Sequence, residues 1–456
     1  MEHALRHFAQ WLDSRRTIHF IVALAVLLRI TALAFLARQP LAGDDTLYHD
    51  FAMRLLQGNM IYPLVPPAVG YYLAFFYRLF GTNPLVARAS MLPLAVGFIY
   101  TLYAVAVRFA GRKGANLVAL VFAIYPLHVL CSVEPITEIP TSLLLLISLF
   151  LVLAICAQAR IRDFVLLGLV LGLLILTRPS ALLLLGFLPF YLVLRSRKWL
   201  ASALVAAIPT LMITVWIMTV YSSTGHFVMI NFSSTQNVFL GNNAYTPLYR
   251  TWRFTTHVDE AQLPAGYQTL NTEIMHLPWY EQNALYRRVA WQSITSRPDL
   301  FAVRTANRMR VYFAFDSYTG SLLMNLYHAG RKLAFASIVI DGSLYVLVAF
   351  CALLFLFTVS RNSERFWPTW TILAMIVIYA GPYFFSVSHP IYHYPIVPLM
   401  GLLAAALWSD ILDRRISLTG AVGGHGAKQI AMVLAVALFA YIQVEYAIVM
   451  YLYSSH

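Results

Sequence analysis

Apolar and polar residues alternate along this chain in long blocks rather than in short helical or strand periods. Runs of about twenty apolar residues near 18–38, 86–108, 115–130, 136–156, 164–177, 180–194, 199–221, 336–359, 367–385, 394–411 and 429–452 predict eleven membrane-crossing helices. The fifth and sixth are short and meet at Thr177-Arg178-Pro179-Ser180. A single bent helix could not stay in the bilayer from 164 to 194, so a hairpin is expected there.

Two stretches break the pattern. Residues 66–80 are aromatic-rich, too short to span, and end at Gly81. They predict an interfacial helix with tyrosines, Tyr71 among them, at headgroup depth. Residues 222–332 form the one sizeable polar segment, with an Asn/Ser-rich start from Asn231 to Asn243 and a helix near 281–296. A second helix after Arg297-Pro298 carries Arg304, Arg308 and Arg310. Such a segment either buries a small core of its own or packs onto the membrane-side face. The expected organisation is a core over 1–221 with a first external loop at 39–85, the loop region 222–332, and C-terminal helices over 333–456.

Composition agrees with this outline. With 60% hydrophobic and 11% charged residues and a mean hydropathy of +0.70, the chain reads as an all-α polytopic membrane protein. The ten-residue alternation of a membrane β-barrel is missing. A net charge of +13 would suit a nucleic-acid partner, but the basic residues are scattered between apolar runs rather than gathered on a polar face. Three cysteines lie in or beside apolar runs without metal-ligand spacing. Arg15 and Arg16 precede the first run, which lacks a small-residue cleavage site and reads as a retained span.

Loop charge sets the orientation. Arg6, Arg15 and Arg16, then Arg108, Arg112 and Lys113, then Arg160 and Arg162, then Arg195, Arg197 and Lys198, then Arg361 and Arg365, then Arg414, Arg415 and Lys428 fall on one side if each run crosses once. The short segments opposite, near 131–136, 177–180 and 386–393, carry only Arg178. The N-terminus is therefore expected in the cytoplasm. Asp44, Asp45, Glu134, Glu138, Arg178, His389 and His393 then share the external side with the polar segment.

Several of these residues are candidates for chemistry. Asp44 and Asp45 follow the first span and open a short helix, with Leu47, Phe51 and Leu55 expected on its apolar face and Tyr48, Ala52 and Leu56 beside them. They are either a general base with an orienting or metal-holding neighbour, or solvated carboxylates capping that helix. Glu134 and Glu138 stand four apart at a span end, and a glutamate turned into a bundle is functional by default. Arg178 either neutralises a phosphate or is an interfacial anchor. Arg29, midway along the first span, needs a partner inside the bundle. His389 and His393 are four apart around a proline and suit packing or phosphate hydrogen bonding better than a metal pair.

Taken together, the motifs resemble a known group. Gly43-Asp44-Asp45-x-x-Tyr48 with Leu55-Leu56-x-Gly58, Pro66-Pro67-x-x-x-Tyr71-Tyr72, Leu79-Phe80-Gly81 and Arg88 look like the first external loop of the GT-C glycosyltransferases. The similar branch is the family-39-like one, with protein O-mannosyltransferases and lipid A aminoarabinose transferases. Thr137-Glu138, Leu176-Thr177-Arg178-Pro179, Asn237-x-x-Leu240-Gly241-Asn242-Asn243 and Tyr392-His393-Tyr394-Pro395 extend the resemblance, although His393 stands where the family more often has arginine.

The resemblance implies a GT-C bundle with external juxtamembrane helices, working in the plasma membrane. It also implies transfer of a sugar from a polyprenyl-phosphate donor to a lipid, glycan or protein acceptor outside the cytoplasm. By the same resemblance Asp44 is the base, Asp45 its acidic companion and Glu138 a further catalytic carboxylate. Arg178 would meet the donor phosphate, with Arg304, Arg308 and His393 in support, and Tyr48, Tyr71, Glu134, Asn242 and His389 would line the pocket. No particular cofactor is singled out, and a divalent cation on Asp45 or Glu138 is admitted. The rival expectation is a lipid or sugar-lipid transporter using Asp44, Glu138 and Arg29 as a charged pathway; it calls for charges spread through the membrane depth.

Overall fold

The computed structural model describes residues 2–59, 63–249, 263–415 and 426–454. Among these the chain is helical, with no strand. Nine helices among the described residues are long and apolar enough to cross a membrane: Thr17–Leu36, Pro84–Ile124, Glu138–Gln158, Pro179–Ser196, Trp199–Thr224, Arg331–Thr358, Phe366–Phe385, Pro390–Leu412 and Ala427–Met450. The eleven expected crossings reconcile with these nine. The longest helix is broken at Gly111 (φ 76°, ψ 177°), which separates two of the predicted runs. Ile161–Thr177, with 17 residues, is a short crossing beside them. The chain is a multi-pass membrane protein.

Packing follows residue size. Helix Val397–Leu412 is buried around nearly its whole circumference and lies against Leu92–Ile124 and Arg331–Thr358. Its Gly401-Leu-Leu-Ala404-Ala405-Ala406 stretch lets neighbouring backbones come close, the usual device where lipid removes the hydrophobic drive between helices. A Cβ on Gly114 would sit 2.4 Å from the Ala405 carbonyl oxygen.

Side-chain contacts reveal which ends of the helices belong together. Arg112 donates to the Asp13 carbonyl and Asn116 to that of Leu12. Lys113 pairs with Asp413 at 2.6 Å, and Arg365 with Asp410 at 2.9 Å. Arg195 lies over Trp367. Lys198 Nζ reaches the Ala159 carbonyl at 2.7 Å, so the chain between them runs out and back. The expected hairpin is present, turning where Arg178 is extended (φ −148°, ψ 107°) before the 3-10 turn Pro179–Ala181. The arginine- and lysine-rich segments thus meet at one end of the bundle, called here the basic end.

At the opposite end lie two amphipathic helices, Asp44–Leu56 and Pro67–Phe80, packed on each other. The polar segment folds as Ser233–Gly241, Ala265–Met275, Trp279–Ser296 and Pro298–Tyr312. It does both things expected of it. Phe232, Phe239, Tyr267, Ile274 and Tyr286 form a small core, while Pro298–Tyr312 packs on the membrane helix Phe366–Phe385.

Replacing Gly114 by alanine should force backbone apart in the bundle centre and cost about 1–3 kcal/mol. Gly186→Ala, where a Cβ meets nothing within 4 Å, should leave the thermal unfolding midpoint in detergent unchanged. Equal midpoints for the two variants would contradict this packing.

Candidate active site

The site is assembled where several helices begin or end. Gly43, at φ 66°, turns the chain without a Cβ penalty so that Asp44 and Asp45 form the first turn of Asp44–Leu56. Negative charge is favourable at a helix N-terminus. The buried face of this helix is Asp45, Tyr48, Phe51 and Ala52, rotated from Leu47 and Leu55 toward the residues expected beside them. Leu56 is exposed, and Leu47 and Leu55 are half-buried. The inward positions hold a carboxylate and a phenol because this face meets a polar recess, not only hydrocarbon.

Arg88 fixes the approach to that turn. Wholly buried, it donates to the carbonyls of Leu36 (2.9 Å), Gln39 (2.6 Å) and Pro40 (2.9 Å). These carbonyls lie where the first span ends, and that of Leu36 also accepts from the Gln39 amide at 3.0 Å. Asn83 caps the short helix Pro84–Ser90 that carries Arg88, accepting from the Leu85 amide at 2.8 Å.

The second wall comes from 132–142. Glu138 opens a membrane helix at its acidic-favouring N-terminus. Its Oε1 accepts from Arg178 Nη1 at 2.9 Å, and Thr137 Oγ1 donates to Oε2 at 3.3 Å. Arg178 also donates from Nη1 to Thr137 Oγ1 (3.2 Å) and from Nε to Tyr383 Oη (2.9 Å). Tyr383 in turn donates to Ser180 at 3.0 Å. Both side chains of the ion pair retain 11% exposure, so the pair is reachable from solvent. Among the described residues Arg178 Nη2 makes no hydrogen bond. Glu134, buried, accepts a 2.5 Å hydrogen bond from Tyr327.

Asp44 is open to solvent, yet protein closes around it and desolvation dominates its electrostatics. It therefore lines a recess rather than an outer surface. Burial, then the Glu138 charge, raise its carboxyl above the ordinary range, with Arg178 opposing. Asp45 is pushed up further by burial and by Glu134. Burial lifts Glu134 to about 7, against the hydrogen bond from Tyr327 and the Arg88 charge. Asp45 and Glu134 thus each hold a proton more tightly than a solvated carboxyl would.

The structure brings together Asp44, Asp45, Glu134, Glu138, Arg178 and Tyr48. Tyr48, buried one turn beyond Asp44, faces Thr137, and its electrostatic neighbours are Asp44, Glu138 and Arg178. Other candidates lie elsewhere. Tyr71 packs edge-on against Phe51 and Trp216. Arg308 donates to the carbonyls of Gly241 and Phe384 and to Asn242 Oδ1, and Arg304 to that of Thr246. Burial pushes Arg308 down to about 9, with Arg304 adding to the effect. Asn242 also bonds the Phe385 carbonyl at 2.8 Å, so it ties the loop region to a membrane helix. His389 caps its own turn through the Ile391 amide. His393 Nδ1 bonds the Tyr312 carbonyl at 2.7 Å, and its ring stacks on Tyr345 at 4.3 Å.

Two contributors were not given roles from sequence. Arg88 was noted only within a motif. Tyr327 has no local signal; it follows a π-helical turn, Leu322–Leu326, far along the chain from Glu134. As for a metal, no three His, Cys, Asp or Glu side chains among the described residues are placed to hold one ion, and Glu138 already gives its carboxylate to Arg178.

Solved structures share this helical architecture. The apo oligosaccharyltransferase of Archaeoglobus fulgidus matches it with a TM-score of 0.51 at 14% identity, over 95% of this chain and 55% of that one. The same organism's oligosaccharyltransferase AglB, in complex with an inhibitory peptide and a dolichol-phosphate, gives 0.50 at 14% identity over the same shares. This chain therefore spans about half the length of those chains, and at such identity the likeness is one of fold. ArnT from Cupriavidus metallidurans, bound to undecaprenyl phosphate, shows a TM-score of 0.43 at 14% identity over 88% of this chain and 79% of its own. Residues 64–223 match the model of the dolichyl-phosphate-mannose-protein mannosyltransferase family. None of the curated proteins matches.

The raised carboxyls have a thermodynamic consequence. Between the ordinary glutamate value, roughly 4.3, and about 7, the folded state holds a proton on Glu134 that the unfolded state has lost. Stability falls as pH rises through that window. Glu134→Gln keeps the Tyr327 hydrogen bond without the charge. Its unfolding midpoint should match the parent at pH 5 and exceed it by roughly 2–4 °C at pH 8. A difference independent of pH would refute the assignment.

Proposed function

We propose that the chain is a glycosyltransferase that moves a sugar from a polyprenyl-phosphate donor to an acceptor hydroxyl at the acidic end of the bundle. What carries this reading is the meeting of Asp44, Glu138 and Arg178 at one solvent-open recess in a GT-C fold. Positive charge gathers at the opposite end, so by the positive-inside rule the recess is extracytoplasmic and the N-terminus cytoplasmic. The protein is assigned to the plasma membrane.

The chemistry follows from charge. The acceptor hydroxyl attacks the anomeric carbon and gives its proton to Asp44, whose raised pKa suits a base working near neutrality. The bond from that carbon to the phosphate oxygen breaks, and the polyprenyl phosphate leaves as an anion. It needs fixed positive charge rather than a proton donor. Arg178 supplies it, held by Glu138, Thr137 and Tyr383 with Nη2 left over for phosphate. Glu138 acts by positioning Arg178. Asp45 and Glu134, whose carboxyls burial makes more basic, limit the negative charge facing the donor.

A lipid-borne donor suits a site at a bundle end, where its tail can lie between helices while the phosphosugar enters water. Residues 1–221 form the catalytic core with its loop at 39–85, the region 222–332 covers it, and 333–456 complete the bundle. The AglB structure carries a dolichol-phosphate and the ArnT structure an undecaprenyl phosphate. A polyprenyl carrier for this chain accords with the former.

Mass analysis of membrane lipids and glycans from cells with and without the protein should reveal one sugar-bearing product that depends on it. Asp44→Asn should lower transfer by about 10²–10⁴-fold in proteoliposomes while insertion and thermal midpoint stay intact. Full activity of that variant, or lipid movement without a new glycosidic bond, would end the proposal.

A further inference from the structure

A second cavity lies in the polar segment, apart from the acidic recess. It encloses about 950 Å³ between Ser233–Gly241 and Trp279–Ser296, toward the large end of ligand pockets at roughly 300–1,000 Å³. Met229, Val238, Leu285 and Trp291 give it an apolar wall, and Arg287 and Arg288 stand along the same helix. Trp291 is 67% exposed and Met229 47%. Neither arginine forms an ion pair among the described residues. Glu281 also lines the cavity, but seven residues from Arg288 it sits about 10 Å along the helix axis.

The depth of this cavity relative to the bilayer follows from chain geometry. Helix Trp199–Thr224 has 26 residues, about 39 Å at 1.5 Å per residue, which exceeds a hydrocarbon core of about 30 Å. Its end therefore stands at headgroup level. Two residues on, His226 stacks on Tyr280 at 3.8 Å with rings 9° apart, which pins the start of Trp279–Ser296 to that level. Met229 and Leu277, both lining the cavity, lie within a few residues of this pin. Exposed tryptophan, methionine and paired arginine at this depth form an amphipathic surface facing phosphate and acyl chain together.

We propose that this cavity binds an anionic phospholipid, with its phosphate against Arg287 and Arg288 and an acyl chain along Met229, Val238, Leu285 and Trp291. The lipid docks the polar segment onto the membrane surface beside the recess. This site is independent of sugar transfer and stands whether or not the proposed activity does.

The test uses the full chain in nanodiscs of phosphatidylcholine containing either brominated phosphatidylglycerol or brominated phosphatidylcholine. The Trp291 contribution to fluorescence is the difference between the parent and Trp291→Phe. It should be quenched at least about twofold more by the anionic bromolipid. The double variant Arg287→Gln, Arg288→Gln should erase the difference without moving the thermal midpoint. Native mass spectrometry of the same samples should show one retained phosphatidylglycerol lost in the double variant. Equal quenching by both bromolipids would overturn selection of an anionic headgroup by Arg287 and Arg288. No quenching by either would overturn a lipid occupant and leave the cavity to a soluble ligand.

Discussion

A charge taken out of water inside an apolar bundle must find a partner, and the partners chosen here organise the molecule. Buried arginines in this chain mostly take backbone carbonyls. Arg29 donates to the carbonyls of Ala25, Phe122 and Ala123 and to Ser132. The carbonyls of Phe122 and Ala123 lie at a helix end, because Tyr125 is extended and Pro126 has no amide proton to offer. Arg88 closes the end of the first span in the same way. Arg308 joins the ends of a loop helix and a membrane helix. Each guanidinium holds a break in the helical ladder in place, at a point where water cannot solvate the freed carbonyls.

Arg178 departs from this pattern, and the departure marks the site. It too sits at a helix break, but its bonds go to a carboxylate and two hydroxyls, all side-chain groups that can rotate or exchange. A guanidinium bound to backbone carbonyls is structural, since releasing it would unmake a helix end. One held by Glu138, Thr137 and Tyr383 keeps its orientation while presenting a free edge. The carboxylates show a parallel division. Asp410 and Asp413 pair with Arg365 and Lys113 at the basic end, whereas Asp44, Asp45 and Glu134 raise one another's proton affinity at the other.

Most of the bundle could be read from the apolar runs, because a membrane span is set by length and hydropathy before any packing occurs. Even the crossings interrupted from within, at Gly111 and after the 17-residue helix ending at Thr177, fall where the apolar runs are already divided. The convergence of Asp44, Glu138 and Arg178 was also readable, since topology places consecutive loops on alternate ends. What hid was the direction in which side chains turn. Arg304, Arg308 and His393 share that end in sequence terms, but each satisfies a particular carbonyl across a contact that no local motif announces. Tyr327 reaches Glu134 over a separation of 193 residues. The expected apolar stripe of Asp44–Leu56 holds at Tyr48, Phe51 and Ala52, but the inward turn of Asp45 beside them is one that hydrophobicity does not announce.

The same charge placement weighs on the transporter alternative. A pathway through the bundle would need polar groups at successive depths, reachable from both ends. Arg29, the mid-span charge on which that alternative relied, is enclosed by helix-end carbonyls and cannot leave them without exposing those carbonyls to hydrocarbon. The central helix Val397–Leu412 is lined from Val397 to Leu407 by buried apolar and small residues alone. Its acidic residue Asp410 is tied to Arg365 at the basic end. Asp44, Asp45, Glu134, Glu138 and Arg178 therefore lie toward one end of the bundle, and the central helix from Val397 to Leu407, between that end and Asp410, is apolar.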